Sequence, residues 1–125
     1  MTDDAKVAAL RLQDVLDARD RTIGHAIRTP LVRLQAEGRG AIYLKLENLP
    51  PVGSFKIRCA ANALLRRREI ALEGVSTASA GNFAQGLAYA GRALGIAVSA
   101  YVPETAAKSK LDALRRLGAT IITIS

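Results

Sequence analysis

Two short stretches of this chain carry residues that could do chemistry. The first is Gly53-Ser54-Phe55-Lys56-Ile57-Arg58. The apolar residues that follow fall at Ile57, Ala60, Ala61, Leu64 and Leu65, a spacing that makes one buried helical stripe. Gly53 and Ser54 read as a turn and an N-cap, so Lys56 is expected in the first helical turn. There it lies beside unpaired backbone N–H groups and the positive end of the helix dipole. A partly desolvated amine in a positive field is a usable nucleophile toward carbonyl carbons. A solvated lysine in a loop is the plain alternative. The second stretch is Ser79-Ala80-Gly81-Asn82-Phe83, after a strand-like Val75-Ser76-Thr77-Ala78 and before a helix with its stripe at Ala84, Leu87, Ala88, Gly91 and Leu94. Asn82 is expected as the N-cap. The small residues let backbone N–H groups approach a carboxylate or phosphate closely. An ordinary helix cap would look the same.

The elements that must position these residues alternate. A helix is expected over residues 2–21 with Ala5, Ala8, Leu12, Val15 and Leu16 inward. Strands are expected over 28–34 and 42–47, joined by a turn at Gly38 and Gly40. From Ser54 onward the order reads helix, strand, helix, strand, helix, strand, with strands near 75–78, 96–102 and 119–124. Gly74, Gly95 and Gly118 punctuate the helix ends. Alternation of this kind predicts an α/β fold with an open, mostly parallel sheet and flanking helices. Ligands of such sheets bind beyond the carboxyl ends of the strands.

Taken together and in order, the motifs resemble the pyridoxal-phosphate enzymes of the threonine dehydratase and serine racemase type. They are Arg28-Thr29-Pro30-Leu31, Leu44-Lys45-Leu46-Glu47-Asn48-Leu49, Gly53-Ser54-Phe55-Lys56-Ile57-Arg58, Ser79-Ala80-Gly81-Asn82, Gln85-Gly86, Val102-Pro103, and Lys110-Leu111 through Leu117-Gly118-Ala119. The likeness runs from about residue 22 to the end. It implies the tryptophan synthase beta-like architecture known as fold type II, with pyridoxal 5′-phosphate as cofactor. Lys56 looks like the Schiff-base lysine and Phe55 like the aromatic beside the cofactor. Asn82 looks like the partner of the ring's phenolic oxygen. Ser79, Gly81, Asn82 and Phe83 are similar to the clamp for the substrate carboxylate. The cofactor would supply the electron sink and the protein its orientation. Residues 1–50 would then belong to an incomplete large domain, and 51–125 to a small domain carrying the lysine.

Some positions depart from the pattern. Many relatives have histidine where Phe83 stands, a change that keeps the backbone donor. Cys59 stands where a small residue is usual and is expected as a buried core hydrophobe. The family's glycine-rich phosphate cup and the residue facing the pyridine nitrogen would lie past residue 125. Gly86, Gly91 and Gly95 read as packing or capping glycines. In the racemase members a serine supplies the second acid/base at the position matching Ala80, where this chain has no ionisable group.

These features imply the N-terminal part of a lyase that takes threonine or serine to a 2-oxo acid and ammonia, inactive by itself. A non-catalytic remnant or interaction module is the reading from another class, and serine racemization a third. Composition agrees with a soluble, cytoplasmic domain: 125 residues, 50% hydrophobic, and no apolar run approaching a membrane span. The N-terminus is acidic, unlike a signal peptide. One cysteine and one histidine, His25, leave no set of ligands for a metal. The net charge of +7 gathers at Arg66, Arg67, Arg68, Arg115 and Arg116, where it complements helix C-termini. With 4% aromatic residues there is no stacking platform, so nucleic acid is not expected as a partner. The expected partners are a small amino-acid substrate and either a second copy of the chain or the missing C-terminal half. Self-association, or incomplete order of the first fifty residues, is expected from the exposed sheet edge.

Overall fold

The computed structural model describes residues 9–35, 38 and 40–125. Its elements run α1 (Leu12–Thr22), β1 (Leu31–Leu34), β2 (Ile42–Lys45), α2 (Lys56–Arg66), a single turn α3 (Arg68–Ala71), β3 (Val75–Thr77), α4 (Asn82–Leu94), β4 (Val98–Pro103), α5 (Lys108–Arg116) and β5 (Thr120–Ile124). The strands form two sheets. β3, β4 and β5 lie side by side and parallel, in chain order. β1 and β2 make a separate antiparallel hairpin, Leu31 opposite Lys45 and Leu34 opposite Ile42.

One core holds the C-terminal part together. The stripe of α2 (Ala60, Ala61, Leu64) and that of α4 (Ala84, Leu87, Ala88, Leu94) meet the buried face of β4 (Val98, Ala100, Val102). Leu114 of α5 closes the cluster and is fully buried. Alternate residues of β4 turn to the other face, and Tyr101 there is exposed. The short side chains of α2 and α4 allow close helix approach. At Gly91 an added Cβ would lie 2.5 Å from Val98 Cγ2. Gly95, at φ +72°, ends α4 in the left-handed conformation.

The first fifty residues differ from their expected form. The expected helix start at residues 2–8, with Ala5 and Ala8, lies outside the described residues. Leu12 and Val15, expected inward, are exposed, because no described residue covers that side of α1. All residues of β1 and β2 are exposed too. Both strands are shorter than expected: Pro30 accepts from Leu46 N–H but has no N–H to donate in return, and Glu47 N–H turns back to Lys45 O. The later strands keep their places with ends shifted by one or two residues. α3 is an added turn between α2 and β3. Of the described residues, no helix is long and apolar enough to cross a membrane.

Candidate active site

Lys56 is the first residue of α2. The turn before it is tight: Gly53 N–H donates to Pro50 O at 2.7 Å, with Gly53 at φ +64°. Ser54 was expected as N-cap, but Phe55 already has helical angles and occupies that position. Ser54 Oγ is nevertheless buried and accepts from Lys56 N–H at 3.3 Å. Arg58 N–H bonds Phe55 O at 3.0 Å, so α2 opens with an i to i+3 turn. The exposed Phe55 ring lies 5.0 Å from Lys56 Nζ, a cation–π distance.

The loop 78–81 follows the carboxyl end of β3. Here too the helix start is moved by one. Gly81, with extended angles, takes the N-cap position and Asn82 is the first helical residue. Ser79 Oγ accepts from Gly81 N–H at 3.1 Å, and no side chain caps α4. The N–H groups of the first turn, from Asn82 onward, therefore point out of the helix without an intrahelical partner. Asn82 is exposed, while the Phe83 side chain packs against the core and leaves only its backbone to the loop. That packing explains how an apolar residue is accommodated there.

Gly86 brings the two stretches together. An added Cβ would lie 3.1 Å from Ile57 N and 3.2 Å from both Lys56 C and Lys56 O. The backbone of α4 thus rests directly on the backbone that carries Lys56. Asn82 is one turn before Gly86 on the same face. Lys56, Phe55 and the residues 79–83 accordingly share one end of the α2–α4 pair.

Four polar residues, Thr29, Lys45, Glu47 and Arg58, had no role assigned from sequence. Glu47 accepts from Arg58 Nε at 3.0 Å, from an Arg58 terminal nitrogen at 2.9 Å, and from the buried Thr29 hydroxyl at 2.6 Å. Arg58 also donates to Ile27 O at 2.8 Å, and Lys45 Nζ donates to Thr29 O. The Arg58 guanidinium holds the Glu47 carboxyl below the usual carboxylate range, against an opposing push from burial; Thr29 and Lys45 add to the lowering. Glu47 and Arg58 stand inside the quoted motifs, but their spacing of eleven residues gave no sign of pairing.

Cys59 corrects another expectation. It is exposed, not a core residue. It lines a cleft of about 810 Å³ with Val15, Thr22, Ala26, Arg28 and Asn62. That cleft contains neither Lys56 nor any of residues 79–83.

An amine at a helix start, an aromatic face, an exposed amide and unpartnered N–H groups, all at one end of two packed helices, suit an aldehyde-bearing aromatic ligand and a carboxylate. Comparison with known proteins identifies the lineage. A family model described as pyridoxal-phosphate dependent enzyme matches residues 23–125. The chain belongs to that pyridoxal-phosphate dependent family. It is 42% identical over 113 residues to an L-threo-3-hydroxyaspartate ammonia-lyase of a Pseudomonas species, covering 87% of this chain and 35% of that protein. It is 42% identical over 118 residues to an L-threonine ammonia-lyase of Thermotoga maritima, covering 90% of this chain and 29% of that protein. Among solved structures, serine racemase from Dictyostelium discoideum superposes with a TM-score of 0.86 at 33% identity, over 93% of this chain and 40% of that one. The chain thus spans about a third of the length of these curated relatives. The family's cofactor is pyridoxal 5′-phosphate, and the fold is that of its α/β members, as the alternation of strands and helices implies.

Proposed function

We propose that this chain is the lysine-bearing portion of a pyridoxal-phosphate dependent lyase that converts threonine or serine to a 2-oxo acid and ammonia. The observation that carries the reading is the seat of Lys56. It begins α2, and α4 is pressed against its backbone through Gly86. The residues available fit the cofactor. Lys56 would hold its aldehyde covalently, Phe55 would lie beside it, and Asn82 would bond the ring's phenolic oxygen. When bound, the cofactor supplies the electron sink for charge at the substrate α-carbon. Ser79, Gly81, Asn82 and Phe83 would form the clamp for the substrate carboxylate: Asn82 and Phe83 offer the free N–H groups at the start of α4, aided by the helix dipole, while the Ser79–Gly81 bond shapes the loop before them. Lys56 also moves the α-proton, which places the amine on the reacting face.

Residues 51–125 form the small domain in this reading, and residues 1–50 a part of the large one. In this reading the cofactor phosphate would be held by residues other than the glycines of α4. Gly86 and Gly91 are committed to helix packing and Gly95 to a helix end. A partner segment is therefore needed for turnover.

Elimination is favoured over racemization by Ala80. It is half-buried against the core and offers no proton to the far face of the cofactor. The likeness to a serine racemase keeps the second reading in the test. A third reading, an interaction module that keeps the fold without chemistry, requires no reactive Lys56. The test is an assay of the chain alone and of the chain fused to the remainder of a curated relative. The fusion should release 2-oxo acid from threonine or serine, and the chain alone should release almost none. Serine racemization faster than 2-oxo acid formation would overturn the reaction, and robust turnover by the chain alone would overturn the need for a partner segment.

A further inference from the structure

We infer that Arg58 and Glu47, with Thr29, are positioning residues for Lys56. The inference rests on the reading of Lys56 given above. Arg58 lies two residues after Lys56 in the first turn of α2. At about 3.6 residues per helical turn, two residues are separated by roughly 200° around the axis. Arg58 and Lys56 therefore leave the turn on nearly opposite sides. A grip on Arg58 fixes the rotation of that turn and so the direction in which the Lys56 amine is presented.

The grip is specific in geometry. Two guanidinium nitrogens meet the two oxygens of one carboxylate, at 3.0 and 2.9 Å. Such paired contacts fix orientation as well as distance. The same carboxylate accepts from Thr29, whose residue is 3% exposed, and the same guanidinium reaches Ile27 O. One side chain thus ties α2 to the segment before β1 and to the segment after β2. An isolated surface ion pair would contribute little. This one is part of a network with a buried hydroxyl, and networks hold their members more firmly than pairs do. Among the described residues, every side chain of the hairpin strands is exposed, so apolar burial by those strands does not set their angle to α2. The opposite side of the turn is set by Gly86 of α4. The first turn of α2 is held between a polar clamp and a backbone contact, and Lys56 projects from what is left.

The test uses the full chain with pyridoxal phosphate and borohydride, followed by peptide mapping of the trapped label. Glu47→Gln keeps the shape and removes the charge. Arg58→Lys keeps the charge and removes the fork. Glu47→Arg combined with Arg58→Glu restores a pair of opposite sense. Each single variant should lower the share of label on Lys56 on the order of tenfold, as expected for a misplaced reacting group. The exchanged pair should recover part of it. Circular dichroism and amide exchange in α4 should stay as in the unaltered chain. Where a charge variant fails to fold, Thr29→Val carries the test, since it keeps the ion pair and removes only the buried hydroxyl. Label on Lys56 undiminished in folded variants would overturn the inference and leave the reading of Lys56 standing. Label spread evenly over the lysines of the unaltered chain would defeat the reading of Lys56 and this inference with it.

Discussion

The two parts of this molecule are held by different forces. From α2 onward, apolar side chains from four helices and the parallel sheet form one buried cluster, and every member of that cluster lies between Ala60 and Ala119. Before α2 the described apolar residues are mostly exposed, among them Leu12 at 74% and Leu31 at 63%. That part is joined to the rest by directional polar contacts: Glu47 with Arg58, Ile27 O with Arg58, and Arg21 with Asn62. Lys56 stands at the seam. Apolar burial is non-directional, whereas a bidentate contact fixes orientation as well as distance. A seam built from polar contacts can define the direction of one side chain without a large core.

The largest expected effect comes from opening the core, contrasted with a change on the hairpin. Leu114→Ala removes a fully buried side chain from the cluster and should cost about 2–5 kcal/mol in chemical denaturation. Val32→Ala, on a residue 44% exposed, should stay within about 0.5 kcal/mol. Equal costs for the two would erase the distinction between the parts.

Gly86→Val acts between those extremes. Its side chain must enter the space occupied by the Lys56 and Ile57 backbone, which can move only by parting α4 from α2. Destabilisation of about 1–3 kcal/mol is expected, as for other overpacked contacts. Loss of selective labelling at Lys56 should accompany it. A variant of unchanged stability and labelling would show that the two helices are not fitted there.

Acid should separate the parts with a smaller effect. Glu47 has its folded value lowered from the usual 4.5, chiefly by Arg58. It contributes stability that is fully present above 4.5 and is lost as pH falls through the lowered value. Amide exchange around β2 and the start of α2 should rise in that window before exchange in α4 does. Simultaneous loss of protection everywhere would contradict a separate polar seam.

The sequence made much of this visible, and the failures have a common cause. Lys56 at a helix start, the loop before α4 and the alternation of strands and helices follow from spacing and from turn residues. Gly74, Gly95 and Gly118 mark helix ends as expected, each at positive φ. The two cap positions moved by one residue in opposite directions, to Phe55 at α2 and to Gly81 at α4, while Ser54 Oγ and Ser79 Oγ accept from backbone N–H groups two residues on. Leu12, Val15 and Cys59 were expected to be covered. Periodicity identifies an apolar stripe but not what lies against it, and no described residue covers these three. The clamp of Thr29, Glu47 and Arg58 joins segments far apart in the chain, and no local pattern encodes such a meeting. Gly86 was legible as a packing glycine, but its neighbour across the contact was not.

Reductive trapping of pyridoxal phosphate on the 125-residue chain distinguishes a seated Lys56 from an ordinary surface lysine. At low cofactor concentration, peptide mapping should place most of the label on Lys56, and Lys56→Ala should abolish this labelled peptide without unfolding the chain. Label distributed evenly among the lysines, or total incorporation unchanged in folded Lys56→Ala, would contradict a seated Lys56.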